Sequence, residues 1–159
     1  MEPFVGWDKF AAIRPDLASA GHDLLYQFGL GLAFLSTVRP DGGPRVHPVC
    51  PVLMSGRLLV HVIPSPKRDD LHRDPRYALH SFPCPDNEDA FYLTGRAQPV
   101  SDPGVASAAA AQFLAERGIE TEPAGFADGE FFEFLLGRCL LTKTTGRGDW
   151  HPQHATWAA

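Results

Sequence analysis

The chain has 159 residues, a formal charge of −5 and 44% apolar residues, which fit one domain with its own core and exclude a disordered chain. Its 14 basic residues are scattered among 19 acidic ones, which excludes a binder of nucleic-acid backbone, and no apolar run is long enough for a membrane span. Cys50, Cys84 and Cys139 are widely spaced without a CxxC, so they give neither a disulfide framework nor a zinc knuckle and read as reduced thiols.

The opening MEPFVGWDKF lacks a basic segment followed by an apolar stretch, so no secretory signal is read and the cytoplasm is the expected compartment. Phe10, Ile13, Leu17, Leu24, Leu25 and Phe28 are helically spaced and predict helix through the first thirty residues, divided by Pro15. Gly31 to Val38 reads as a short apolar strand. Pro40-Asp41-Gly42-Gly43-Pro44 reads as a hairpin turn. Arg45 to Leu53 follows as a strand with Pro48 and Pro51, which cannot donate to a ladder and so predict an edge or a bulge. Ser55-Gly56 turns the chain into a strand over Arg57 to Ile63, and the loop from Pro64 opens a short helix ending before Pro75.

Tyr77 to Phe82 and Ala90 to Val100 predict two more strands. Asp102 as N-cap, Pro103 at the first helical position and Gly118 as C-cap bracket an alanine-rich helix. Glu130 to Leu136 and Arg138 to Thr145 read as two closing strands before a tail with Trp150 and Trp157. The pattern predicts one domain over 1–159, mainly β with flanking α: helices in 1–29, strands in 30–100 with a loop at 64–75, a helix at 102–118, and closing strands and tail over 130–159. A small antiparallel barrel is favoured over an open α+β sandwich because closure removes exposed edges.

The motifs of self-sufficient hydrolases, zinc proteases and P-loop enzymes are absent, and Gly29-Leu30-Gly31 opens a strand where a dinucleotide fingerprint would open a helix. The seven histidines form no compact ligand set, and His151 and His154 read as polar tail residues, so no metal is expected. Ser65-Pro66-Lys67-Arg68 is the informative segment. A hydroxyl, two cations and loop amides at the start of a helical turn suit a phosphate monoester. On the strand Arg45 to Val49, Arg45 and His47 share one face, and Val46 and Pro48 the other. Were that strand beside Leu59-Val60-His61, Arg45 and His61 would line a groove leading to Lys67, with room for a planar ring bearing a phosphate chain. A solvated turn and half-buried strand histidines are the plainer alternatives.

In order, Ser36-Thr37-Val38, Pro-Asp-Gly-Gly-Pro, Arg45-Val46-His47-Pro48-Val49, Gly56-Arg57-Leu58 and Ser65-Pro66-Lys67-Arg68-Asp69-Asp70-Leu71 resemble the flavin-binding split-barrel proteins related to pyridoxamine 5′-phosphate oxidase. Gly95 in TGRA and Ala155-Thr156-Trp157 fit the same pattern. The resemblance implies a six- or seven-stranded antiparallel split β-barrel of the FMN-binding type, a homodimer with FMN between protomers and a small-molecule substrate. It implies that Arg45 and the Val46, His47, Pro48 and Val49 backbone face the ring. Ser65, Lys67 and Arg68 would hold the phosphate, His61 would lie beside the ribityl chain, and Trp150 or Trp157 would reach the partner's flavin.

Three departures narrow this reading. Pro66 stands where the oxidase has an arginine, with Arg68 expected to compensate. Ala90 replaces a flavin-contacting glutamine. The last thirty residues contain no Arg-Leu-His-Asp-Arg segment to grip a pyridoxal substrate. Flavin binding is thus implied more strongly than vitamin B6 oxidation, and no catalytic residue is assigned. A deazaflavin coenzyme, its acidic tail on Arg57, Lys67, Arg68 and Arg73, is the first alternative, and a non-enzymatic flavin carrier or sensor is the second.

Overall fold

A computed structural model describes residues 3–159. Two helices, α1 (Trp7–Ile13) and α2 (Pro15–Leu25), meet at Arg14, because Pro15 has no N–H to continue α1 but fits the first position of a new helix. Strands β1 (Ala33–Val38), β2 (Pro44–Val49), β3 (Pro51–Met54) and β4 (Arg57–Val62) follow. Next come α3 (Pro66–Arg73), β5 (Arg76–Ser81) and β6 (Ala90–Pro99). Helix α4 (Pro103–Glu116), a 3-10 turn at Phe126–Asp128, β7 (Glu130–Lys143) and β8 (Gln153–Ala158) complete the chain.

All strands belong to one antiparallel sheet ordered β2-β1-β5-β6-β7-β4-β3, with β8 added to β7. The expected strand over Arg45 to Leu53 is two strands, β2 on β1 and β3 on β4, joined only by Cys50. The two ends of the strand order are therefore neighbours in the chain, and the sheet curls into a half-barrel whose seam is one bent strand. Counted so, there are seven strands. Both proline-bearing halves lie at the ends of the order, where a missing N–H costs no ladder bond. The β3–β4 turn is a two-residue hairpin with positive φ at Ser55 (49°) and Gly56 (72°), the handedness that matches strand twist.

The closing region corrects the sequence reading. Glu130 to Leu136 and Arg138 to Thr145 are not two strands but the single β7. Phe132, Phe134 and Leu136 face the core at even positions, whereas Cys139 and Leu141 do so at odd ones. One extra residue, Gly137, absorbs the change of phase in a bulge opposite Thr94 and Gly95. In sequence a phase change looks like a turn. A Cβ on Gly95 would lie 1.8 Å from the Leu135 carbonyl oxygen, so the bulge closes only over glycine. The first part of β7 pairs with β4 and the last with β8, on the edge not taken by β6.

The core fills the concave side. Phe10, Leu17 and Leu25 of the N-terminal helices plug it against Phe91, Phe132 and Phe134. On the convex side α4 covers β3, β4 and the start of β7, over a small cluster of Leu59, Ala109 and Phe131. Asp102 caps α4 by accepting from Gly104 N–H at 2.8 Å. Its C-terminus closes by Gly118 N–H to Ala115 O and Ile119 N–H to Leu114 O, a Schellman pair. No helix among the described residues is long and apolar enough to cross a membrane.

Candidate functional site

Helix α3 and the edge strand β2 bring most of the expected site residues together. Pro66 starts α3 without forfeiting a helical bond, and Ser65 stands before it in an extended conformation, its hydroxyl donating to Ile63 O at 2.8 Å. Lys67, in the first turn, is half-buried. Burial alone perturbs its ammonium, holding it below its ordinary value, and no carboxylate among the described residues offsets this. The neighbouring cations are all engaged. Arg68 donates to Asp128 O at 2.9 Å and lies 3.8 Å from Glu130. Arg73 reaches Asp70 at 3.1 Å and the Val38 carbonyl. Arg57 pairs with Glu133 at 2.6 Å.

Arg45 points beneath α3, its Nε donating to Asp70 at 2.7 Å. The Asp70 carboxylate also accepts from Thr37 Oγ1 at 2.8 Å. Burial would raise the Asp70 carboxyl, but the hydrogen bonds from Arg45, Thr37 and Arg73 outweigh it and hold it below the usual range. Val46, His47 and Pro48 are exposed, Val46 by 59%, and only Val49 of β2 is buried apart from the half-covered Arg45. An edge strand bare on both faces is a liability that folds usually cover.

His61 is placed elsewhere. The pairing that would set it beside Arg45 does not form, because β2 joins β1 and only β3 joins β4. Its ring turns to the α4 side and stacks on Phe126 at 4.1 Å, with Nε2 3.1 Å from Phe126 O. Burial pushes its imidazole below the ordinary histidine value, against smaller opposing effects of the Phe126 carbonyl and Glu122. Arg68 and His61 thus hold two ends of the turn 126–128. Trp157 packs inward on Phe10 with ring centres 4.9 Å apart, whereas Trp150 is 90% exposed on the β7–β8 loop. No group of three or more potential metal ligands occurs among the described residues.

The convex face left bare by α4 carries three adjoining hollows. One spans Ser36, Val38 and Ala78, the next Thr94, Arg96 and Gly137, and the third Tyr92, Leu140 and Thr156. The first two share Arg76 and Tyr77, and the last two share Thr94 and Arg138. Sequence reasoning singled out Arg45 and Lys67 but missed what joins their elements, the Thr37–Asp70–Arg73 network. The spacing of Asp70 and Arg73 on a helix hints at a pair; that the carboxylate is buried under β1 is visible only in three dimensions.

No protein-family model and no curated protein sequence matches this chain. Solved structures do. A candidate pyridoxamine 5′-phosphate oxidase from Listeria innocua superposes with a TM-score of 0.60 at 12% identity, over 76% of this chain and 93% of that one. An F420 reductase gives 0.60 at 22% identity, over 74% and 94%. A heme-binding protein from Mycobacterium smegmatis gives 0.63 at 17% identity over 88% of this chain, which spans 57% of that protein's length. The curled antiparallel sheet, its bent seam strand and these superpositions together give the chain the split-barrel fold of the pyridoxamine 5′-phosphate oxidase-like proteins.

Proposed function

We propose that the protein is an FMN-binding flavoprotein that works as a homodimer and acts as an oxidoreductase on a small molecule. The observation that carries this reading is Lys67: a half-buried cation in the first turn of α3 with no carboxylate among the described residues to offset its burial. A phosphate there would meet the ammonium and the unpaired first-turn amide together. The surrounding residues fit such a group. Ser65 flanks it, and the exposed backbone of Val46, His47 and Pro48 offers an edge for a planar ring. Arg45 approaches from β2, and the bare convex face offers the partner a surface.

Bound FMN supplies hydride transfer at its ring, and the protein supplies position and charge. Lys67 anchors the phosphate end. Arg45, held through Nε by Asp70, presents a fixed guanidinium at the edge of β2. The exposure of Trp150 supports it as the aromatic group that would cover a partner's ring, whereas Trp157 packs in its own core. The paired state of Arg57, Arg68 and Arg73 favours a single phosphate over the long acidic tail of a deazaflavin coenzyme.

The absorbance spectrum of the purified protein, with mass spectrometry of any released ligand, tests the cofactor. Flavin bands and an FMN mass are expected, and a deazaflavin mass would replace this reading. Lys67→Ala is expected to weaken FMN binding by about 2–3 kcal/mol without changing unfolding by urea. Unchanged affinity would remove the phosphate site. Light scattering of Val46→Asp, expected to shift the protein toward monomer, tests the dimer.

A further inference from the structure

We infer that Asp70 is the positioning residue of this site, a buried carboxylate that locks α3, and with it Lys67, to the edge strand carrying Arg45. The inference rests on the flavin reading of α3 and adds to it the device that sets its geometry.

Asp70 is 1% exposed, the most buried carboxylate among the described residues. Its three donors come from three elements. Thr37 on β1 and Arg45 on β2 share Oδ2, and Arg73 of α3 itself takes Oδ1. Thr37 and Arg45 are direct partners across the β1–β2 ladder, so one carboxylate oxygen joins both strands at a single rung. Arg73 also reaches the Val38 carbonyl at the end of β1.

Apart from the bonds of Asp70 and Arg73, helix α3 is tied on its β7 side, by Arg68 to the Asp128 carbonyl and by His72 to Glu130 and Phe132. It is eight residues long, and Leu71 is its only buried apolar residue. None of those β7-side ties reaches β1 or β2, so without Asp70 and Arg73 the helix, and Lys67 with it, would lose its connection to the edge strand. The charged bonds of Asp70 make that connection. For stability alone, an apolar contact would serve at least as well as a buried ion pair, so its value here is directional.

The same arrangement explains why Lys67 has no partner of its own among the described residues. Lys67 stands three positions before Asp70, close enough on a helix for a pair. Arg45, Arg73 and Thr37 already engage the carboxylate, and Lys67 is perturbed by burial alone. Asp70 thus positions the cation without neutralising it, as an anion site requires.

The test compares binding of FMN with binding of riboflavin, which lacks the phosphate, by fluorescence titration of the full-length wild type, Asp70→Asn, Thr37→Val and Lys67→Ala. The wild type is expected to prefer FMN and Lys67→Ala to lose that preference. Asp70→Asn is expected to lower the preference about tenfold, the order of one charge-assisted contact, with riboflavin affinity falling less than FMN affinity. Thr37→Val, which removes one neutral donor and touches no ligand, should lower it less and in the same direction. If Asp70→Asn does not fold, Thr37→Val carries the test, since its effect passes only through the carboxylate. An undiminished preference in the variants that fold, or an equal loss for both ligands, overturns the positioning role. A wild type that binds FMN and riboflavin alike overturns instead the phosphate reading beneath it, before any Asp70 variant is measured.

Discussion

The two halves of the bent strand 44–54 both combine proline with valine, Pro44, Val46, Pro48 and Val49 in β2 and Pro51 and Val52 in β3, yet their surroundings differ sharply. In β3, Pro51 and Val52 are buried, and α4 clamps the outside. Gln112 donates to Leu53 O at 3.0 Å, and the Leu53 N–H donates to the Tyr26 hydroxyl at 2.9 Å. In β2, three consecutive residues, Val46, His47 and Pro48, are exposed. One cover is supplied by the chain itself, and the other is what the proposed flavin site and dimer would provide. Local sequence makes both halves extended; the presence or absence of α4 separates the covered half from the exposed one.

The largest expected effect is on the covered half. Leu59→Ala, fully buried on β4 beneath α4, should cost about 2–5 kcal/mol in urea unfolding. Val46→Ser on β2 should change protomer stability by no more than about 0.5 kcal/mol while weakening self-association. Comparable stability losses at both positions would break the contrast.

Acid should act next, on the β2 side. The folded-state pKa of Asp70 is lowered, so its contribution is complete above the unfolded value of about 3.9 and is lost as pH falls toward the folded one. Wild-type unfolding midpoints are expected to drop below about pH 4 more steeply than those of Asp70→Asn. Parallel curves would show that the network does not anchor β2. Asp89, held low by Lys143 and Thr144 against its burial, acts with the same sign in both proteins and cancels in the comparison.

A smaller effect belongs to the covered half. Burial lowers the His61 pKa, so its contribution to stability is complete above about pH 6.5 and declines as pH falls below it. An NMR titration should place His61 below the ordinary histidine midpoint. A normal midpoint would mean that the cover over β4 opens in solution. The smallest expected change is in Trp150→Phe, which should leave unfolding untouched and alter only the fluorescence of bound flavin. An unchanged flavin signal would remove Trp150 from the site.

Much of this molecule can be read along the chain. Pro15 separates α1 from α2, Asp102 and Gly118 bracket α4, and Pro48 and Pro51 place their strands at the ends of the order, because each of these residues acts on its own backbone. The ordered segments from Ser36 to Leu71 also carry the split-barrel resemblance. Partner choice is a different matter. Which cation remains uncompensated, where His61 turns and that Asp70 joins β1, β2 and α3 are decided by residues up to tens of positions apart, and hydrophobic periodicity carries no record of them. The single strand β7 shows the boundary between the two: its two alternation phases are written in the sequence, but that Gly137 joins them as a bulge follows only from Gly95 and the Leu135 carbonyl meeting across the sheet.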